Sequence, residues 1–252
     1  RSYPPPKPFT KKNPEIPTLA DYSIIPDSDF WETWPSCDLP QFPFTPVDAE
    51  KFRSYADGKS PREASRINKV ADNLLYGADT CVRGVGLTRT TSTNAPSCIE
   101  AGERTCDAIA SMMKLGFISG PFENDPFMDQ GGSKVSALMS VNKPDGSIRP
   151  CMNLSSPKGV SYNDGVDESL VFPARMCSAK MFSQVLWSAG SGCTLIKKDQ
   201  KNAYKYVPIK TDQYFLQVFS WLGKFFVETS VSYTHLRAHE TSLHLVCRLL
   251  LE

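Results

Sequence analysis

Apolar positions first recur at helical spacing from residue 64, where Ala64, Ile67, Ala71, Leu74 and Leu75 share one face. Ser60-Pro61-Arg62-Glu63 opens this run: a cap residue, a proline at the first helical position and a glutamate three residues after the cap coincide, and Gly77 supplies the stop. A second helix is predicted from Ser97, with Glu100 completing the same capping pattern, through Cys106, Ile109 and Met113 to Gly116. Beyond Gly120 the period changes. Val135 to Asn142 and Ile148 to Leu154 read as strands around Lys143-Pro144-Asp145-Gly146-Ser147, in which proline presets φ, aspartate bonds its own backbone and glycine tolerates positive φ. A helix over Ala174 to Trp187, a short buried strand Cys193 to Ile196 and a hairpin from Gln213–Phe219 across Leu222-Gly223 to Phe225–Val227 complete the pattern. Helices first and mixed elements afterwards predict an α+β fold.

Composition changes this picture mainly at the N-terminus. Eleven of the 20 prolines fall between Pro4 and Pro46, interleaved with Phe9, Phe30, Trp31, Trp34, Phe42 and Phe44, so residues 1–58 read as an extended linker whose aromatics are candidate anchors. Residues 59–122 form a helical lead-in and 123–230 the mixed region. The chain has 252 residues, enough for one or two domains, with 28 basic and 27 acidic side chains, so any nucleic-acid surface must be local. No apolar run approaches the roughly 18 residues of a spanning helix, and the proline-rich start is unlike a secretory signal. The expectation is a soluble intracellular protein, in cytoplasm or nucleus, with no membrane partner. Arg1 in place of Met suggests that the chain begins inside a longer reading frame. The eight cysteines show no C-x-x-C pair and read as reduced thiols.

His235, His239 and His244 with Glu240 would suggest zinc, because His at i and i+4 shares a helix face. Yet Val231 to Thr241 resembles a one-frame translation of a transposase-type sequencing adapter, and Leu245 to Glu252 resembles the adapter portion that follows it. Residues 231–252 are therefore set apart from fold and function, and the native sequence is expected to stop near Thr229 or Ser230.

The candidate chemistry lies at Asp199, which follows the buried strand and precedes Gln200-Lys201-Asn202-Ala203-Tyr204. Taken alone, Asp199 reads as a surface or capping residue, and a magnesium ion would need further oxygen ligands. Its context points further. Leu195-Ile196-Lys197-Lys198-Asp199-Gln200-Lys201-Asn202-Ala203-Tyr204-Lys205-Tyr206-Val207-Pro208-Ile209 is similar to the first palm motif of retroelement reverse transcriptases, most closely the DIRS-like group. Lys143 to Pro150, Asn153 to Gly159 and Tyr162 to Gly165 resemble the fingers hairpin and its continuation, and Leu75 to Asp79 with Gly116 to Phe122 resemble the family's lead-in.

The resemblance implies a right-hand polymerase, represented by fingers and partial palm, that adds deoxynucleotides to a primer on an RNA or DNA template. Asp199 would be a catalytic, metal-binding aspartate and the Gln200 carbonyl would assist, with Mg2+ or Mn2+ as cofactor. Arg149 would bind the incoming triphosphate through paired donors, with Lys143 adding a point charge. Tyr204 matches the steric-gate position that excludes a ribose 2′-hydroxyl. Lys197, Lys201 and Lys205, with Lys198 and Lys210, form a basic cluster suited to template-primer phosphates if they face outward together. Lys198 and Gln200 stand where the family usually has apolar residues. The family's later Tyr-x-Asp-Asp motif does not occur in the chain, so the fragment itself is expected to be inactive. Two other readings stay open: a non-catalytic nucleic-acid-binding remnant of a decayed retroelement, and a zinc protein built on the histidine tail.

Overall fold

Two helices, α1 (Ala49–Ser54) and α2 (Pro61–Tyr76), pack through Phe52, Ile67, Ala71 and Leu74, which are all buried. The computed structural model describes residues 24, 26–27, 29–170, 179–193 and 203–231. The capping box read from sequence forms at α2: Glu63 N–H donates to Ser60 Oγ and Ser60 N–H donates to the Glu63 carboxylate, at 3.4 and 3.1 Å. Gly77 ends the helix at φ 82°, and a Cβ there would lie 2.5 Å from the Lys210 nitrogen. Only glycine lets the segment around Ile209 pass so close, where Ala78 N–H donates to Pro208 O at 2.8 Å.

The single helix expected from Ser97 to Gly116 is instead two, α3 (Pro96–Ala101) and α4 (Glu103–Lys114). Proline at the first helical position moves the start back to Ala95, which caps without a side-chain bond, and Gly102 at φ 38° breaks the run. The break re-aims the chain so that Cys98 and Cys106, Ile109 and Met113 all reach one core, with Thr105 Oγ1 donating to Cys98 O at 3.1 Å across it.

Two small antiparallel sheets follow. β1 (Ile118–Phe122), β4 (Val218–Trp221) and β5 (Lys224–Glu228) form one in the order β1-β5-β4, with Ile118 opposite Glu228 and Phe219 opposite Phe226. The other is the predicted hairpin, β2 (Ala137–Asn142) and β3 (Ile148–Asn153), closed by Lys143 N–H to Ser147 O at 2.8 Å with Gly146 at φ 80°. The second predicted hairpin is also present, but Thr211–Leu216 is a 3-10 segment and the strand begins only at Val218. Gln213 explains the difference: its Oε1 accepts from Thr80 N–H at 2.8 Å and its Nε2 donates to Asp79 at 3.2 Å, which pins the backbone away from a ladder. Helix α5 (Ala179–Ala189) matches the latter part of the helix expected over Ala174–Trp187. The buried strand expected at Cys193–Ile196 falls almost wholly outside the described residues.

The core joins α4 to both sheets through Ile109, Met113, Leu138, Phe219, Trp221 and Phe226. Part of the segment expected as a linker belongs to it. Phe30, Trp31 and Trp34 pack together at 5.1–5.6 Å between ring centroids, and Trp34 lies 5.9 Å from Phe226. Phe42 and Phe44 stay exposed. Among the described residues no helix is long and apolar enough to cross a membrane.

Asn94 fixes one sheet against the other. Its Nδ2 donates to Ser220 O on β4 and its Oδ1 accepts from Leu138 N–H on β2, both at 2.9 Å and out of water. Asn94→Ala orphans a buried donor and acceptor at once, and the expected loss is about 3 kcal/mol of unfolding free energy, read as a lowered urea midpoint with unchanged slope. Lys134 is also buried, its ammonium donating to Val160 O at 2.7 Å. Burial first, and then the nearby Arg89 cation, pull its pKa down from the lysine range to about 8, against a weaker pull from Asp164. Between that value and the ordinary pKa near 10.5 the unfolded chain binds more protons than the folded one, so stability is expected to rise with pH across this window. Lys134→Met should flatten that rise in denaturation series between pH 7.5 and 10.5.

Candidate functional site

A cleft of about 830 Å³ opens between α4, the β2–β3 hairpin and the edge where β5 meets β1. Its apolar floor comes from Met112, Ile118, Leu138, Met152 and Phe219, and its polar groups are Arg104, Asp107, Lys143, Arg149, Lys205 and Glu228. The volume falls in the range of small-molecule sites, in which an apolar lining carries a few converging polar groups.

Each element positions its group for a local reason. Arg104 and Asp107 stand one turn apart on the exposed face of α4, opposite the buried Cys106 and Ile109. Lys143 opens the tight turn, and Arg149 sits opposite Val141 in β3, on the strand that leaves the turn. Arg104 holds the tip over the helix, its Nη1 donating to Gly146 O at 3.4 Å. At the back, Lys205 extends from the 3-10 turn Ala203–Tyr206 and forms an ion pair with Glu228 at the end of β5. The two side chains are only 13% and 8% exposed, so this pair is inside the protein. Burial lowers the Lys205 pKa from the ordinary lysine value, with the nearby Cys151 acting weakly in the other direction. The adjoining Glu228 carboxylate keeps the proton on, because loss of either charge would strand the other in a poorly solvated place.

The structure thus brings Lys143, Arg149 and Lys205 to one cleft. Of the basic cluster read from the sequence, Lys205 does not meet the outward-facing condition: its charge is turned inward and neutralised by Glu228. Tyr204 is not part of the cleft lining either. Its ring is half-buried against the α1–α2 cluster of Phe52, Ile67 and Val207. Asp199, Gln200, Lys197 and Lys201 lie outside the described residues, as do Lys198 and the histidine tail. Lys210, grouped with them by sequence, pairs with Asp79 at 3.3 Å. Among the described residues no group of three His, Cys, Asp or Glu side chains is arranged to hold a metal ion. Sequence reasoning missed Arg104 and Glu228. A glutamate ending the otherwise apolar Phe225-Phe226-Val227 run was the available signal, since a charge on a buried strand requires a partner.

No family model matches the chain, and no curated protein matches it. Solved structures of foamy virus protease-reverse transcriptase are similar to it. One, in complex with dsDNA, has a TM-score of 0.42 at 15% identity over 79% of this chain and 41% of its own. A second, in complex with an RNA/DNA hybrid, has a TM-score of 0.42 at 13% identity over 84% and 28%. A third, a selenomethionine-labelled mutant of the prototype foamy virus protein, has a TM-score of 0.40 at 17% identity over 79% and 26%. The chain therefore spans well under half the length of each.

The buried pair yields a direct expectation. Glu228→Gln leaves the Lys205 ammonium uncompensated and should cost about 3–5 kcal/mol of stability. The double change Lys205→Met, Glu228→Leu should recover most of it, and additive losses in the denaturation midpoints would show that the two side chains do not act as a pair.

Proposed function

We propose that the chain is the fingers and partial palm of an RNA-directed DNA polymerase of a retroelement, acting on a template-primer with deoxynucleoside triphosphates. The observation that carries this reading is spatial. The hairpin of Lys143–Arg149 overhangs the same cleft that Lys205, from the segment resembling the first palm motif, enters from the other side. Two blocks far apart in sequence, each resembling a part of one enzyme, share one cavity.

In this reading Arg149 offers paired N–H donors to phosphate oxygens and Lys143 adds an unbranched positive charge at the mouth. Lys205 and Glu228 cancel one another and shape the back wall. The described cleft residues do not fit a magnesium ion: Glu228 is committed to Lys205 and Asp107 is a lone carboxylate. Metal binding is assigned to Asp199 and the Gln200 carbonyl by resemblance alone, and no chemical step is derived through it.

The test is primer extension by the polymerase completed with its downstream palm residues. Asp199→Ala is expected to abolish extension, about 10³-fold or more, while leaving the affinity for an RNA/DNA hybrid within about twofold. Near-normal extension by that variant would remove Asp199 from catalysis. If the unaltered completed protein binds hybrid but never extends it, the non-catalytic remnant is the better description.

A further inference from the structure

One hydrogen bond ties the N-terminal lead to the turn that carries Lys205. Thr45 Oγ1 donates to Tyr206 O at 2.6 Å, across 161 positions of chain. Tyr206 ends the 3-10 turn Ala203–Tyr206, and the last carbonyls of such a turn have no partner inside it. The threonine is held ready for this bond. Pro46 follows it and restricts its backbone to the extended region, its branched side chain has few χ1 choices, and Val47 N–H donates to the same hydroxyl oxygen at 3.2 Å. Both flanks are anchored: Val47 packs against the α1–α2 cluster, and Cys37 upstream exchanges two backbone bonds with Gly120 on β1, at 3.0 and 2.8 Å.

Side chains diverge from this turn. Tyr204 and the following Val207 go to the α1–α2 cluster, Lys205 goes to Glu228 at the back of the cleft, and the Tyr206 ring meets Phe117 edge-on at 6.2 Å between centroids. A change in the backbone of the turn moves all of them together. We infer that Thr45 is a positioning residue: its hydroxyl locks the Ala203–Tyr206 turn and thereby keeps the Lys205 ammonium on Glu228 at the cleft wall. Resting on the polymerase reading above, the same lock steadies the first palm motif, since Asp199 precedes the turn by four residues in sequence. The lead is then a working part of the site.

The experiment is acetylation of the purified 252-residue chain under native conditions, with the rate at each lysine read by mass spectrometry. Thr45→Val keeps the shape and removes the donor. It should raise the rate at Lys205 about fivefold, the opening that follows loss of one ordinary hydrogen bond, while Lys134, buried in a different part of the core, reacts as before. Thr45→Ser should restore the slow rate. Unchanged labelling of Lys205 in Thr45→Val, or an equal rise at Lys134, the mark of a generally loosened fold, would overturn the inference. In the completed polymerase Thr45→Val is expected to lower kcat about fivefold at an unchanged KM for template-primer, with Thr45→Ser near wild type. A normal kcat in Thr45→Val would overturn the claim on the palm motif. An unaltered completed protein that never extends a primer would instead bring down the polymerase reading, and the acetylation rates would still decide the lock.

Discussion

The cleft exists because two sheets that share no ladder are held at a fixed separation, and the Asn94 side chain carries much of that constraint. A primary amide presents a donor and an acceptor on one rigid plane, so Ser220 on β4 and Leu138 on β2 are locked to the same group. Val135 reinforces this from the backbone, bridging Thr91 on one side and Val218 on the other. The hairpin is otherwise a two-stranded ribbon, which has little stability of its own in water. Its position over α4 is therefore a tertiary property, supplied by Asn94, by Leu138 and Met152 in the core, and by Arg104 at the tip.

The back wall shows a second consequence of that arrangement. A lysine on a segment with four basic neighbours would ordinarily be solvated, and placing it inside requires a carboxylate at hydrogen-bonding distance. Glu228 meets the need only because β5 pairs with β1, which sets Ile118 opposite Glu228 and carries the carboxylate to the cleft edge. The net charge of the cleft is thus decided by strand register. A shift of one residue in β5 would place Val227 toward Lys205 and leave a bare ammonium.

What was legible in the sequence was local. The Ser60–Glu63 box and the Pro144-Asp145-Gly146 turn each contain, within four residues, every group that makes them form. Lys143 and Arg149 were legible as a pair because that turn fixes the register between them. Features that failed depend on distant partners. The single helix expected from Ser97 to Gly116 is broken at Gly102, with Thr105 bonded to Cys98 across the break, and Gln213, expected in a strand, has its amide bonded to Asp79 and Thr80. Lys205 read as a surface cation because Glu228 lies 23 positions later, in a different element.

The proline-rich lead belongs to the same argument. Ordering an extended backbone costs roughly 1–2 kcal/mol per residue, which polar linker residues cannot offset. Phe30, Trp31 and Trp34 can, because aromatic pairs contribute about 0.5–1.5 kcal/mol beyond the area they bury, and all three sit on one another. They meet the sheet at Phe226. Alternation along β5 puts Lys224, Phe226 and Glu228 on a single face, with Lys224 over the Trp31 ring and Glu228 at the cleft, while Phe225 and Val227 face the opposite cluster of Phe127, Val135 and Tyr214. The anchor of the N-terminal segment and the wall of the candidate site are therefore neighbours two residues apart on one strand, so the aromatic contacts that tie down the lead also hold the face on which Glu228 meets Lys205.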